Sequence, residues 1–369
     1  MFIYIIIYII LFIFSLIERL DDEKEISGIL TKRMLFYCVS VLLICFAGLR
    51  YFTGPDYESY KSIYNSASDT LNFADRFEPG FVLFVHILRN IIGVSFETFL
   101  FVFTFVNITV KAGFFKKYFR YPIFLMVMYY PFIFFLVDFG QIRQGMALGI
   151  ILWSIPAVMN KKILQFYVIW IIACGFHYSM LIFFPFYFLG QITLNKKWFL
   201  SLFFIGFVFN SFDISKAVLV GISKVIDHSS LGAIIEYMMD YGGVETNLIV
   251  YYFLQPSTII NIFLLLVFQH YYKNENTMAR TIYNLDSFII LIVKFFTDFM
   301  ILQQRGSYFY KLFEIFLIYY ILDKITRKEE KAIIMSVIFF YGLMRMINEF
   351  LRFSTMYDDY KFFSSFLGF

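Results

Sequence analysis

Three arginines carry the clearest chemical signal in this chain of 369 residues. Arg50, Arg143 and Arg305 each adjoin or enter an apolar run, and none has an acid three or four positions away to neutralise it along a helix face. A guanidinium so placed either reaches out to water or holds an anion. Its planar fork of donors suits bidentate binding of phosphate oxygens. Arg345 has Glu349 four residues on, so it can close an internal pair or join the same anion site. Lys294 with Asp298, and Lys311 with Glu314, read as internal salt bridges.

Other groups near these arginines could move a proton or hold a sugar. His177, in "CGFHYSM", can act as a general base or cap a helix end. In "LRYFTGPDYESYKSIYN", Gly54-Pro55 makes a turn and Pro55 can open a short helix. Tyr57, Tyr60 and Tyr64 then share one face, offering ring faces and hydroxyls to a sugar or forming an interfacial aromatic belt. Asp56 can orient a sugar hydroxyl or accept its proton. Asp138, just before Gly140, is a second carboxylate for either work, or a helix-end group. Acids and histidines show no metal-ligand spacing, so neither a metal nor a cofactor is expected.

What must position these residues is a membrane scaffold. The chain is 60% hydrophobic and 16% charged, with a mean hydropathy of +0.74, against about 45–50% and about 25% for ordinary soluble domains. Cys38, Cys45 and Cys174 lie inside apolar runs and read as small core residues. The net charge of +4 is spread in short clusters between apolar runs, which argues against nucleic acid as a partner. The fold class is an all-α polytopic membrane protein, read as one integral membrane domain over 1–369. Twelve spanning helices are expected, near 2–18, 34–49, 96–114, 121–138, 142–159, 163–178, 179–194, 198–211, 248–270, 283–302, 306–323 and 332–350. The run 81–92 is too short to span and reads as a re-entrant or interfacial helix. The first run, which lacks a preceding Lys or Arg and a small-residue cleavage site, reads as a retained helix.

Short cytoplasmic loops collect Lys and Arg. Placing 19–33 inside puts Lys111, Lys116, Lys117 and Arg120, and the pairs Lys161/Lys162 and Lys196/Lys197, on the same side. Both termini then lie outside, as do the segments 50–80 and 211–247. Arg50, Arg143, His177, Arg305 and Arg345 fall at the outer boundary, where no nucleotide-activated donor is at hand. The 211–247 loop, with Asp227, His228, Glu236, Tyr237, Asp240 and Tyr241, is where acceptor selection is expected.

The order Arg-x-x-x-Gly-x-Asp-Tyr, then "FEPGFVLF", then "QIRQGMALGIILWSI", then "FHYSMLIFFP" resembles the EpsG family of exopolysaccharide and O-antigen polymerases, the Wzy-like group. The resemblance covers the first half well, and in the second half only the stretch around Arg305. It implies a multi-pass protein of the bacterial cytoplasmic (inner) membrane whose active site faces the periplasm or outside. It also implies transfer of a glycan from undecaprenyl pyrophosphate to the non-reducing end of another lipid-linked repeat unit. Donor and acceptor are then both undecaprenyl-pyrophosphate-linked oligosaccharides, membrane lipid surrounds the protein, and a chain-length regulator is a candidate partner. Carried onto matching positions, the functional residues are Arg50, Asp56, Tyr57, Glu78, Arg143 and His177, with Arg305 less closely matched. In this reading Arg143, Arg305, Arg50 and Arg345 hold pyrophosphate without a metal, and His177 or Asp56 is the base. Tyr57, Tyr60, Tyr64 and Glu78 meet the sugar. An O-antigen ligase, a flippase or transporter of the lipid-linked unit, and a membrane O-acyltransferase remain alternatives.

Overall fold

The computed structural model describes residues 2–20, 28–71, 77–212, 255–272, 278–297, 300–352, 354–357 and 360–362, with positions 214 and 217. It divides into two compact units. The first comprises Met1–Ala157, Ile163–Phe184 and Arg327–Phe369, the second Val158–Lys162 and Pro185–Thr326.

The protein is all-α and membrane-embedded. Among the described residues, four helices are long and apolar enough to cross a bilayer: Phe2–Arg19, Phe96–Tyr118, Ile142–Met159 and Lys328–Leu351. Shorter apolar helices occupy Pro79–Ile92, Pro122–Val137, Ile163–Cys174 and Pro256–Tyr271. The run expected to span 179–194 is instead a 3-10 turn, Tyr178–Phe183, and a short helix, Phe186–Leu189. Pro185 lies between them, and its missing N–H and fixed φ prevent one continuous α-helix. The segments 213, 215–216 and 218–254, which hold the expected acceptor-selecting residues, and Asp298 lie outside the described residues.

In the first unit, α1 (Phe2–Leu20), α2 (Gly28–Gly48), α5 (Phe96–Tyr118) and α6 (Pro122–Tyr129) pack together. The carboxylate of Glu18, at the end of α1, accepts from the backbone N–H groups of Ile123 and Phe124 at 2.9 and 3.0 Å. It thereby satisfies first-turn donors of α6 that have no intrahelical partner. Chain continuity past Pro131 is kept by a π-helical turn, Tyr130–Phe134, which absorbs the lost hydrogen bond. α5 is capped by Ser95, whose side chain accepts from Thr98 N.

Lys111 corrects the loop assignment made from charge alone. It is not a cytoplasmic anchor: it is buried within α5 and donates to Asp138 at 2.7 Å. Asn107 donates to the same carboxylate oxygen at 2.7 Å, and Tyr129 donates to the other. A buried ammonium with a carboxylate and two further donors is the arrangement that makes burial of both charges tolerable. Asp138 is thus a structural acceptor here.

The C-terminal segment closes this unit. β2 (Lys361–Phe362) pairs antiparallel with β1 (Arg50–Tyr51), matching Arg50 to Phe362 and Tyr51 to Lys361. Tyr4 lies in an aromatic cluster with Phe46, Phe135, Phe139, Phe350, Tyr357 and Tyr360.

The second unit is built on the helices Pro256–Tyr272, Met278–Phe295 and Met300–Lys324, with Lys196–Ser211 against the second of these. Asp286 is fully buried there and accepts from Asn261 Nδ2 at 3.2 Å. Asn210 Nδ2 donates to the carbonyls of Gly206 and Lys294 at 2.6 and 2.8 Å, tying two helices together. Lys294 is buried and stands over the Tyr310 ring at 5.8 Å.

Candidate active site

Arg50 does not reach toward a ligand. It is 1% exposed, and its fork is spent on backbone. Nε donates to Thr53 O at 3.1 Å, Nη2 to Phe139 O at 3.2 Å, and Nη1 to Ala47 O near the end of α2. Burial pushes its pKa down to about 10, while the neighbouring Tyr57 and Tyr360 oppose the fall, so it stays cationic at neutral pH. A cation at the carbonyl end of a helix is favourably placed. Arg50 therefore holds the turn in the opening motif. Gly54 completes that turn at φ +99, and a Cβ there would come within 2.8 Å of Phe139 O.

The expected helix after Pro55 is present as α3 (Tyr57–Asn65), with Asp56 half-buried at its N-cap position. Tyr57, Tyr60 and Tyr64 do share one face, but it is a packing face. All three are buried against Phe81, Phe96 and Phe99, and Tyr64 donates to Val94 O at 2.7 Å. The rings of Tyr57 and Tyr64 are thus committed to the core, where the sequence suggested a sugar platform. Tyr60 differs because its hydroxyl meets Arg143. Burial raises its pKa and the guanidinium opposes the rise; the charge of Asp56, one turn earlier on α3, adds to it.

Arg143 is the second residue of the helix Ile142–Leu152. It is paired, although no acid lies near it in sequence: Nη1 donates to Glu78 Oε2, from 65 positions upstream. The guanidinium also stands over Phe77 and Phe81, at 5.1 and 5.4 Å from their ring centres. Its side chain keeps 21% exposure, against 5% for Glu78. Glu78 occupies the N-cap position of α4 (Pro79–His86), with Pro79 at the first helical position, where its missing N–H costs nothing.

A close backbone approach brings the fourth motif to the same place. Gly80 N donates to Gly175 O at 2.6 Å, and Phe81 N to the same oxygen at 3.2 Å. A Cβ on Gly80 would come within 2.6 Å of that oxygen, so only glycine lets the strand of motif residues close. Tyr178 N then donates to Glu78 Oε1 at 3.3 Å.

His177 caps the turn that follows it. Its Nδ1 accepts from Ser179 N at 3.1 Å and lies 2.7 Å from Ser179 Oγ. A backbone N–H can only donate, so Nδ1 carries no proton and the neutral ring carries it on Nε2. In this arrangement the imidazole offers a donor, not the proton acceptor expected of a base.

Arg345 stands over Phe132 at 4.2 Å and donates to Tyr341 Oη at 3.3 Å, within the first unit. Arg305, half-buried, belongs to the second unit. The structure therefore brings together Tyr60, Glu78, Arg143 and the 175–178 segment, with Asp56 within electrostatic reach of Tyr60. Sequence reasoning missed Phe77 and the Gly80–Gly175 approach; the glycines inside "EPGF" and "CGFH" were the available signal.

A cation and a carboxylate joined across a partly open surface, with a phenol and a backbone N–H beside them, can bind an anion by exchanging Glu78 for it. No curated protein and no solved structure matches this chain. The sequence pattern of the EpsG family matches residues 33–363, extending the resemblance well past the first half, and the chain belongs to that family.

Proposed function

We propose that this protein is a polymerase of lipid-linked glycan repeat units, with its reaction centre at Arg143 and Glu78. Membership of the EpsG family supports a membrane glycan polymerase-type function. The observation that carries the site is the meeting of Arg143, Glu78, Tyr60 and the Gly175–Tyr178 segment, drawn from four separate motifs.

In the proposed reaction the donor glycan arrives on undecaprenyl diphosphate. Arg143 turns from Glu78 onto the diphosphate and balances the charge that grows as the C1–O bond breaks. The electron pair of that bond leaves with the diphosphate oxygen, which needs no protonation. An acceptor hydroxyl on a second lipid-linked unit bonds to C1, and its proton passes to a carboxylate. Asp56 is the carboxylate assigned to this step, because its charge reaches the Tyr60 hydroxyl beside Arg143 and His177 presents Nε2–H. His177 serves as a further donor to the diphosphate. Arg50 and Arg345 take structural roles in this reading.

The cationic charge comes from arginine, so polymerisation is expected to survive chelation of divalent metal. The protein is placed in the bacterial inner membrane with the site facing outward, following the distribution of Lys and Arg. The test is expression of Arg143→Ala and Glu78→Gln in cells lacking the wild-type protein, with surface glycan resolved by gel. Loss of the long-chain ladder while single repeat units persist supports the reading. Full ladders from both variants overturn it, and loss of even the single unit points to a ligase.

A further inference from the structure

Next to Arg143 lies a cavity that the reaction scheme above has not used. It has a volume of about 250 Å³ and is bounded by the end of α3, the residues 66–71 and one face of α4. We propose that this cavity binds one sugar ring of the acceptor glycan; the assignment rests on the polymerase reading.

Its lining has the mixture that carbohydrate needs. Phe77 offers a ring face to sugar C–H groups above the buried Phe81, while Ser66, Ser68, Thr70 and His86 offer hydrogen-bonding groups. The same two rings flank the Arg143 guanidinium, at 5.1 and 5.4 Å. Cavity and cation thus share a wall, and a ring held on one side presents its hydroxyls toward the reaction centre.

His86 is oriented for this task. Arg89 Nη1 donates to Asn90 Oδ1 at 2.6 Å, which fixes the amide and turns Nδ2 toward His86 Nδ1, 2.9 Å away. Nδ1 accepts, so the neutral imidazole carries its proton on Nε2. Among the described residues Nε2 has no partner, which leaves a directed donor for a sugar hydroxyl. The wall is preformed as well: Arg89 bridges to Asp69 at 2.9 Å, and Asn90 Nδ2 donates to Ser68 O at 2.8 Å. A wall already ordered loses little entropy on binding.

The other face of the same helix suits a lipid-borne ligand. Leu83, Ile87 and Ile91 recur every fourth residue and are exposed, with Ile92 beside them. That stripe lies at the membrane surface in this reading, and the cavity opens on the opposite face of the helix, at the level of a lipid headgroup.

The experiment uses the full-length protein in detergent and the free repeat-unit oligosaccharide released by mild hydrolysis of the host's own polysaccharide, with binding followed by ligand-observed NMR titration. His86→Ala, and Ala67→Phe, which fills the cavity, are expected to weaken binding by roughly tenfold or more. His86→Gln, which keeps an N–H donor, should recover most of the loss and guards against a folding artefact in His86→Ala. Wild-type failure to bind, or unchanged binding in both cavity variants, overturns the proposal. Cavity variants that lose binding in a protein whose Arg143→Ala form still makes full ladders would sustain the sugar site and sink the assignment of Arg143.

Discussion

Arg50 and Arg143 look alike in sequence and do opposite things. Each sits in a family motif beside an apolar run, and neither has a local acid. In the fold, Arg50 is sealed at 1% exposure and bound to three carbonyl oxygens, so its charge is used to shape a turn. Arg143 meets a carboxylate, a phenol and two aromatic faces, and its side chain keeps 21% exposure. The distinction is in what the partner can give up. Backbone carbonyls inside a turn cannot be exchanged for a ligand without unmaking the turn, whereas a carboxylate can swing away from a guanidinium when a better anion arrives. A guanidinium without a local acid in sequence is therefore not a free guanidinium.

The comparison can be broken by substitution. Arg143→Ala should cut polymer formation by roughly a hundredfold or more while the protein accumulates in membranes at its normal level, as seen by glycan gel and immunoblot. Arg50→Ala should do the reverse, destabilising the fold by on the order of 3 kcal/mol, read as a lower melting temperature in detergent with residual polymer in proportion to surviving protein. Equal polymer loss per folded molecule from both variants would erase the distinction. Lys111→Met isolates the buried Asp138 charge and should cost about 3–5 kcal/mol, and adding Asp138→Asn should return part of it. Gly54→Ala forces a side chain into the left-handed region and against Phe139 O, and should cost at least about 1–2 kcal/mol, with no effect on turnover beyond the loss of folded protein. Tyr64→Phe, which removes only the bond to Val94 O, should cost about 1 kcal/mol; a drop in polymer larger than the drop in stability would return that ring to the sugar site.

Much of the scaffold was written in local pattern. Several apolar runs are helices near their expected places, though not the run 179–194, and the i, i+3, i+7 tyrosines did form one face of α3. Local pattern failed where a decision depended on a distant partner. The tyrosine stripe was equally compatible with sugar or with Phe96 and Phe99, and only tertiary packing chose. Lys111 belonged to a basic cluster by position, yet its partner, Asp138, lies on the far side of the α6 segment. His177 was readable as a cap or a base, and the cap became visible only through the backbone N–H of Ser179. The pairing of Glu78 with Arg143 was not encoded in any spacing. It stands beside the contact of Gly80 with Gly175, which sequence shows only as two glycines in two motifs.

The β1–β2 pairing has a bearing on biogenesis. Thr53 and Lys361, joined at that ladder, stand 308 positions apart, and the Tyr4–Tyr357 contact spans 353. Such distant closures come late, because long-range pairing must await the loop entropy it has to overcome. The corner around Arg50 thus stays unlatched while the translocon lays down every intervening helix. A chain clipped before Tyr357 would carry the Arg143 site without the clasp that anchors its first motif.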